Sequence, residues 1–250
     1  LRCRQSGDVG KTVFRTVEID GAVPCSEWEA AAVPYTGASG YANVTLQAGG
    51  DDGVIHLEAG THTIALTVTA GEYEAVYEAV YELMNEINAT GMELLRLTGG
   101  MTDKNRTWDM DSYMLEAVPK LEEYAERAEE LYNRLQEIDG QEPVYAMDLL
   151  AARDKLEALL KEPEKIPGST EEIFRGDNSA SKYLGDVLAA LSAYGLTVDR
   201  LYVYGKEELP AAGTSVLGNV WESVKRLGWS FLPEAAQDNY ASAGKADEEL

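Results

Sequence analysis

The spacing of apolar and polar positions changes period twice along the chain, and the two changes divide it into three zones. The first, residues 1–70, follows the two-residue period of β-structure. Thr12 to Ile19 is β-rich and closes on the turn dipeptide Asp20-Gly21, with Val13, Val17 and Ile19 sharing parity and so one face of a sheet. After Ala59-Gly60, residues Thr61 to Thr69 place Ile64, Leu66 and Val68 in alternation with Thr63, Ala65 and Thr67, the mark of a half-buried antiparallel strand. Shorter strands are expected at Asn43 to Gln47 and Gly53 to Glu58.

From Glu72 to about Leu97 the period becomes helical, with Tyr73, Val76, Tyr77, Val80, Met84, Ile87 and Leu94 on one stripe. A loop over Gly99 to Arg106 leads to a second helix, about Ser112 to Ile138. Its apolar positions Met114, Val118, Leu121, Ala125, Ala128, Tyr132 and Leu135 step by four and three, the seam of a bundle. Pro119 suits a first turn, and Gly140 ends the helix. A third helix is expected from Pro143 to before Pro163. A fourth follows Ser169, an N-cap candidate with Glu172 three residues on as its capping-box partner, and stops at Gly195.

At Thr197 the β period returns, through Tyr204. A single strand after four helices leaves its backbone groups unpaired unless it rejoins a sheet, and the sheet available is the one at the start. The pattern therefore predicts an α+β chain: a β-domain over 1–70 plus 196–208, interrupted by a four-helix antiparallel insertion over 71–195 before its last strand. Residues 209–250, with an amphipathic stretch through Val216, Val220, Trp221, Val224 and Leu227, read as a linker. The first residue, Leu1, and the small, charged last residues are expected to mark an excerpt of a longer protein.

Charge narrows the partners. Forty-four Asp and Glu against 21 Lys and Arg give −23 over 250 residues, which repels phosphate backbones and anionic lipid surfaces, and no basic patch with interleaved aromatics offsets it. Nucleic acid is not an expected partner. No apolar run is long enough to span a bilayer. Cys3 and Cys25 either form one bridge or remain two thiols, at least one of them buried.

Several chemical signatures fail. Gly10-Lys11-Thr12 has the tail of a phosphate-binding loop, but Gln5 stands where its first glycine is required. His56 and His62 lack a third ligand at zinc spacing, and no nucleophile triad can be assembled with them. Asp51-Asp52, between glycines, could hold a structural calcium, though a solvated turn is the favoured reading; no other cofactor is expected. Acidic pairs for glycoside hydrolysis abound, but Glu122, Glu123, Glu126, Glu129 and Glu130 read as a solvated helix face. No catalytic residue is assigned, and the chain is expected not to be an enzyme. Trp28, Tyr35 and Tyr41 lie in a poorly periodic segment between strands and are the candidates for carbohydrate binding, since a sugar's apolar face stacks on a ring. Tyr73, Tyr77 and Tyr81 are read as a packing face. The sequons at Asn43, Asn88 and Asn105 would matter only in a eukaryotic secretory chain.

Val17-Glu-Ile-Asp-Gly21, Leu57 to Leu66 and Val198-Asp-Arg-Leu-Tyr-Val203 resemble segments of galactose-binding-like β-sandwiches of the carbohydrate-binding-module type. The whole arrangement resembles the N-terminal region of Gram-positive extracellular solute-binding proteins of ABC sugar importers. There a helical segment splits the sandwich, and a linker, like Trp221 to Phe231 and Asp238 to Ser242 here, leads to a solute-binding domain. The resemblance implies a jelly roll, incomplete at about five or six strands. It also implies an extracellular, surface-attached parent whose C-terminal solute-binding domain works with a membrane permease. The expected function is an accessory, non-catalytic region with oligosaccharide or polysaccharide as candidate ligand. The alternative is a spacer or protein-docking module without sugar binding, and a glycosidase fragment is the least favoured.

Overall fold

The structure, a computed structural model, describes residues 1–5, 10–37, 40–100, 106–109 and 116–203. They form an α+β arrangement with small antiparallel sheets, in two compact units. Of the described residues, one comprises those within Gly7–Tyr35 and Ile55–Gly195; the other comprises those within Leu1–Ser6 and Thr36–Val54 and those from Leu196 to Val203.

In the larger unit, strand β2 (Val13–Ile19) lies between β3 (Ala31–Val33) and β7 (Ile64–Thr69), antiparallel to both. The register sets Ile19 against Ile64 and Val17 against Leu66, so the residues that share parity in the sequence do share a face. Beyond Ile19 the turn adopts positive φ at both Asp20 (+53°) and Gly21 (+79°), as a two-residue type I′ turn demands. Val17 is buried, while Val68 at the far end of β7 is 54% exposed, so the alternation in β7 marks a face only partly covered.

Four α-helices follow among the described residues: α1 (Tyr73–Thr98), α2 (Ala117–Asp139), α3 (Met147–Leu160) and α4 (Ala180–Leu191). Each packs on its sequence neighbour, and α4 closes the ring against α1. Val80, Leu83, Ile87 and Leu94 of α1 meet Leu121 and Leu135 of α2, Leu149 and Leu156 of α3, and Leu184 and Val187 of α4 in one core, all fully buried. Burying a side chain of this size contributes about 1.5–3 kcal/mol each. The seam expected of α2 is the buried stripe from Leu121 to Leu135, while Val118 is only partly buried and Met114 lies outside the described residues; Pro119 sits in the first turn.

The fourth helix starts later than the capping-box pattern predicts. Pro163–Gly168 is a 3-10 turn and Glu171–Arg175 a π-helical turn, and the α-helix begins only at Ala180. Ser169 turns its hydroxyl back to the Lys165 carbonyl (3.2 Å), whereas Ser179 caps α4 by accepting from the Lys182 amide (3.2 Å). Gly176 separates the segments: a Cβ there would stand 2.7 Å from the Glu171 carbonyl oxygen. The irregular stretch has a packing role, because the Phe174 ring lies where a Cβ on Gly91 of α1 would be, 2.2 Å from its Cδ1.

The smaller unit holds β1 (Arg2–Arg4) between β4 (Ala42–Asn43) and β8 (Thr197–Arg200), and a hairpin of β5 (Gln47–Ala48) and β6 (Asp51–Asp52). The returning strand thus does pair with the chain's first strand, antiparallel. Residues 53–58 form no strand, a correction to the expectation from sequence, and Val54 is 91% exposed. The expected linker over residues 209–250 lies outside the described residues.

Candidate functional site

Residues Gly10-Lys11-Thr12, which imitate a phosphate loop, enter the end of the helical ring where α1 begins and α2 and α4 end. Lys11 is fully buried. Its ammonium donates to the carbonyls of Ala190 (2.7 Å), Leu191 (2.8 Å) and Ala193 (2.6 Å), acceptors at and just beyond the C-terminus of α4, the first of which also accepts from the Ala193 amide (3.2 Å). A cation there also meets the negative end of the helix dipole. The rings of Tyr194, Tyr73 and Tyr145 surround it, with centroids 5.0, 5.2 and 5.9 Å from Nζ. α4 stops at Leu191, short of the Gly195 expected from the sequence, and Lys11 serves carbonyls at that end.

Beside it, the Asp139 carboxylate stands at the end of α2, where the dipole disfavours an anion. Three donors offset this: the Thr12 amide (2.8 Å), the Tyr73 hydroxyl (2.5 Å) and the Tyr145 hydroxyl (2.7 Å). Burial, reinforced by these bonds to Asp139, raises the pKa of both phenols far above the ordinary tyrosine range. Tyr194 is raised as well, first by burial. Gln141 donates to the Gly10 carbonyl (3.0 Å), and Arg15 donates to the carbonyls of Phe14 and Tyr194 (both 2.7 Å). Phe14 meets Tyr73 edge-on at 5.4 Å, its ring resting where a Cβ on Gly71 would lie. The cluster ties β2 to the bundle. An ammonium whose three protons all serve carbonyls, next to a carboxylate held by three donors, is an anchor and offers no free nucleophile or base.

The proposed sugar-stacking residues fall in both units. Trp28, on the 3-10 turn Ser26–Ala30, is 5% exposed and presents no ring face to solvent. Tyr35 is half-buried in the same unit, and Tyr41 is half-buried in the other. Of the tyrosine stripe on α1, Tyr73 is buried, whereas Tyr77 and Tyr81 are 37% and 51% exposed. A shallow groove of about 560 Å³ lies over α1 and α2, walled by Glu72, Glu74, Glu78, Leu131 and Arg134, with no aromatic ring in its lining. The Glu72–Arg134 ion pair (3.0 Å) crosses it. Asp51 and Asp52 are exposed on β6, and no three His, Cys, Asp or Glu side chains gather as a metal site among the described residues. Cys3 and Cys25 are free thiols in different units. Cys3 is buried, which raises its pKa. Among the described residues no helix is long and apolar enough to cross a membrane.

Residues 75–191 match the family model of the bacterial solute-binding protein, 4-helix bundle domain. The matched span runs from the first turn of α1 to the last residue of α4, so it coincides with the helical ring. The match, over less than half of the chain, likens the helical ring to that domain of bacterial solute-binding proteins. No curated protein and no solved structure matches the chain. Lys11 and Asp139 were missed in the sequence because a lysine after glycine and an acid at a helix end are both ordinary surface residues. Only the failure of the phosphate-loop pattern hinted that Lys11 needed another use.

Proposed function

We propose that the chain is an accessory, non-catalytic region of a cell-surface solute-binding protein serving an ABC sugar transporter, and that its helical ring is a rigid support for the receptor. The coincidence of the family match with the closed ring carries this reading. The anchor around Lys11 and Asp139 adds to it, since it makes the β2 sheet and the bundle one body. A support of this kind needs stiffness and solubility more than a cleft, which suits a dry apolar core beneath an acidic surface.

The test joins two measurements. Protease treatment of intact cells of a bacterium expressing the parent protein should cleave this region, and the purified chain should leave chromogenic glycosides intact. Protection in intact cells but cleavage in lysed ones would overturn the location. Turnover of a glycoside would overturn the non-catalytic assignment.

A further inference from the structure

The smaller unit concentrates positive charge on one face of one sheet, in a chain whose acids outnumber its bases by 44 to 21. Arg2 and Arg4 lie two residues apart on β1 and so share a face, while Cys3 between them is buried on the other. Arg2 is set directly against Asn43 of β4 and Arg200 of β8, which brings Arg200 to the same face. The β1–β8 ladder shifts between Arg2 and Cys3, whose partners are Arg200 and Val198. Asp199 is the extra residue of that bulge, and a bulge re-aims the side chain it carries.

Asp199 uses this freedom to pair with Arg2 and to approach the Nε of Arg200 at 3.7 Å. One carboxylate therefore serves two guanidinium groups, and Arg4 has no carboxylate partner among the described residues. Instead the guanidinium carbons of Arg2 and Arg4 lie 4.9 and 5.3 Å from the centre of the Tyr41 ring. The Nε of Arg4 is buried without a hydrogen-bond partner. Holding three like charges together disfavours the sheet unless something of opposite charge is present.

We infer that this face, built from Arg2, Arg4, Arg200 and Tyr41, is a binding site for an oxyanion, a carboxylate or phosphate group carried by a small molecule or glycan. The guanidinium fork matches the two oxygens of such a group, and the ring keeps the forks in place while adding apolar surface beside them. Bulk charge argues against long polyanions, whereas a small anion reaching a focused positive patch meets a local field. The inference does not depend on the transporter reading.

The test is calorimetric titration of the whole chain with trigalacturonate, its methyl-esterified form, and inorganic phosphate at low salt. Trigalacturonate or phosphate should bind, the ester should not, and Arg4→Gln and Arg200→Gln should each weaken binding about tenfold or more. Lys182→Gln, which removes a surface cation paired with Asp186 in the other unit, should change nothing. The tighter of the two probes identifies the source of the oxyanion. Absence of binding by both, binding that Arg4→Gln and Arg200→Gln leave unaltered, or equal weakening by Lys182→Gln would each overturn the site. Thermal unfolding of each variant separates lost contacts from a lost fold, and Arg200→Gln alone suffices if Arg4→Gln does not fold.

Discussion

The ammonium of Lys11 and the carbonyl oxygen of Leu191 are 2.8 Å apart across 180 residues of chain, and that bond fastens the first long strand to the last helix of the bundle. Lys11→Met should therefore destabilise the larger unit although it removes a buried charge. The methionine fills the space but takes a donor from three carbonyls at the helix end, of which only Ala190 keeps a backbone amide, at an expected cost of about 2–4 kcal/mol. Urea unfolding measures it. A loss below about 0.5 kcal/mol would show that water takes over the capping.

Gly91 and Phe174 make a second prediction. Alanine is the better helix former by about 1 kcal/mol, yet Gly91→Ala should destabilise by about 1–3 kcal/mol because its methyl meets the Phe174 ring. The double variant Gly91→Ala with Phe174→Ala should be more stable than the two single losses added together. Strict additivity in a denaturation cycle would remove the proposed contact.

The alkaline limit of stability should lie in the phenols. Tyr73 and Tyr145 have folded pKa values raised above the unfolded value. Their contribution is complete below about pH 10, where free tyrosine titrates, and is lost as pH rises further, because only the unfolded chain releases those protons. Absorbance titration of the 14 tyrosines should show a late fraction that ionises together with unfolding. Tyr145→Phe should shrink that fraction. Ionisation of all tyrosines in one early step, with the fold intact, would contradict the burial.

Where the β2–β7 ladder ends at Ile19 and Ile64, His62 Nδ1 lies 2.7 Å from the Asp20 carboxylate and its Nε2 lies 2.7 Å from the Glu58 carbonyl. The hydrogen bond to Asp20 is the main cause that raises the His62 pKa, and the same bond is the main cause that lowers that of Asp20. The histidine's contribution is complete below about pH 6.5, its unfolded value, and fades as pH rises through the folded value. The aspartate's is present above about pH 4 and fades as pH falls through its own depressed value. Stabilisation by the pair is thus greatest between those limits. Proton NMR should place the His62 midpoint above 6.5, and Asp20→Asn should return it toward that value. A midpoint unmoved by the substitution would refute the pairing.

The strands and helices that could be read in the sequence are those whose evidence is local. Val13, Val17 and Ile19 carry a sheet face, Asp20-Gly21 supplies a turn with two positive φ values, and Leu121 through Leu135 spell out a buried seam. The start of α4 could not be read that way. Ser169 and Glu172 satisfy a capping pattern, but Gly176 and the packing of Phe174 on Gly91 override it, and that partner is more than 80 residues away. The surroundings of the sugar-stacking candidates are not legible for a related reason. Trp28 sits in a stretch without period, which suggests a surface loop, yet its large apolar area is drawn inside. Tyr41 looked like an open platform until register placed two arginines beside it.

The capping of α4 by Lys11 also bears on the order in which the protein is made. Lys11 is synthesised before the carbonyls it serves, which follow 179 to 182 residues later. At ordinary rates of synthesis the strand must wait on the order of 10–35 s for them. During that interval the sheet around β2 can pair, while the lysine stays hydrated and the ring of helices stays open. Closure is then a single late event that buries the lysine, seats Phe14 on Tyr73 and finishes the last helix together. Nascent chains released before Ala193 should consequently be far more sensitive to protease than those only slightly longer.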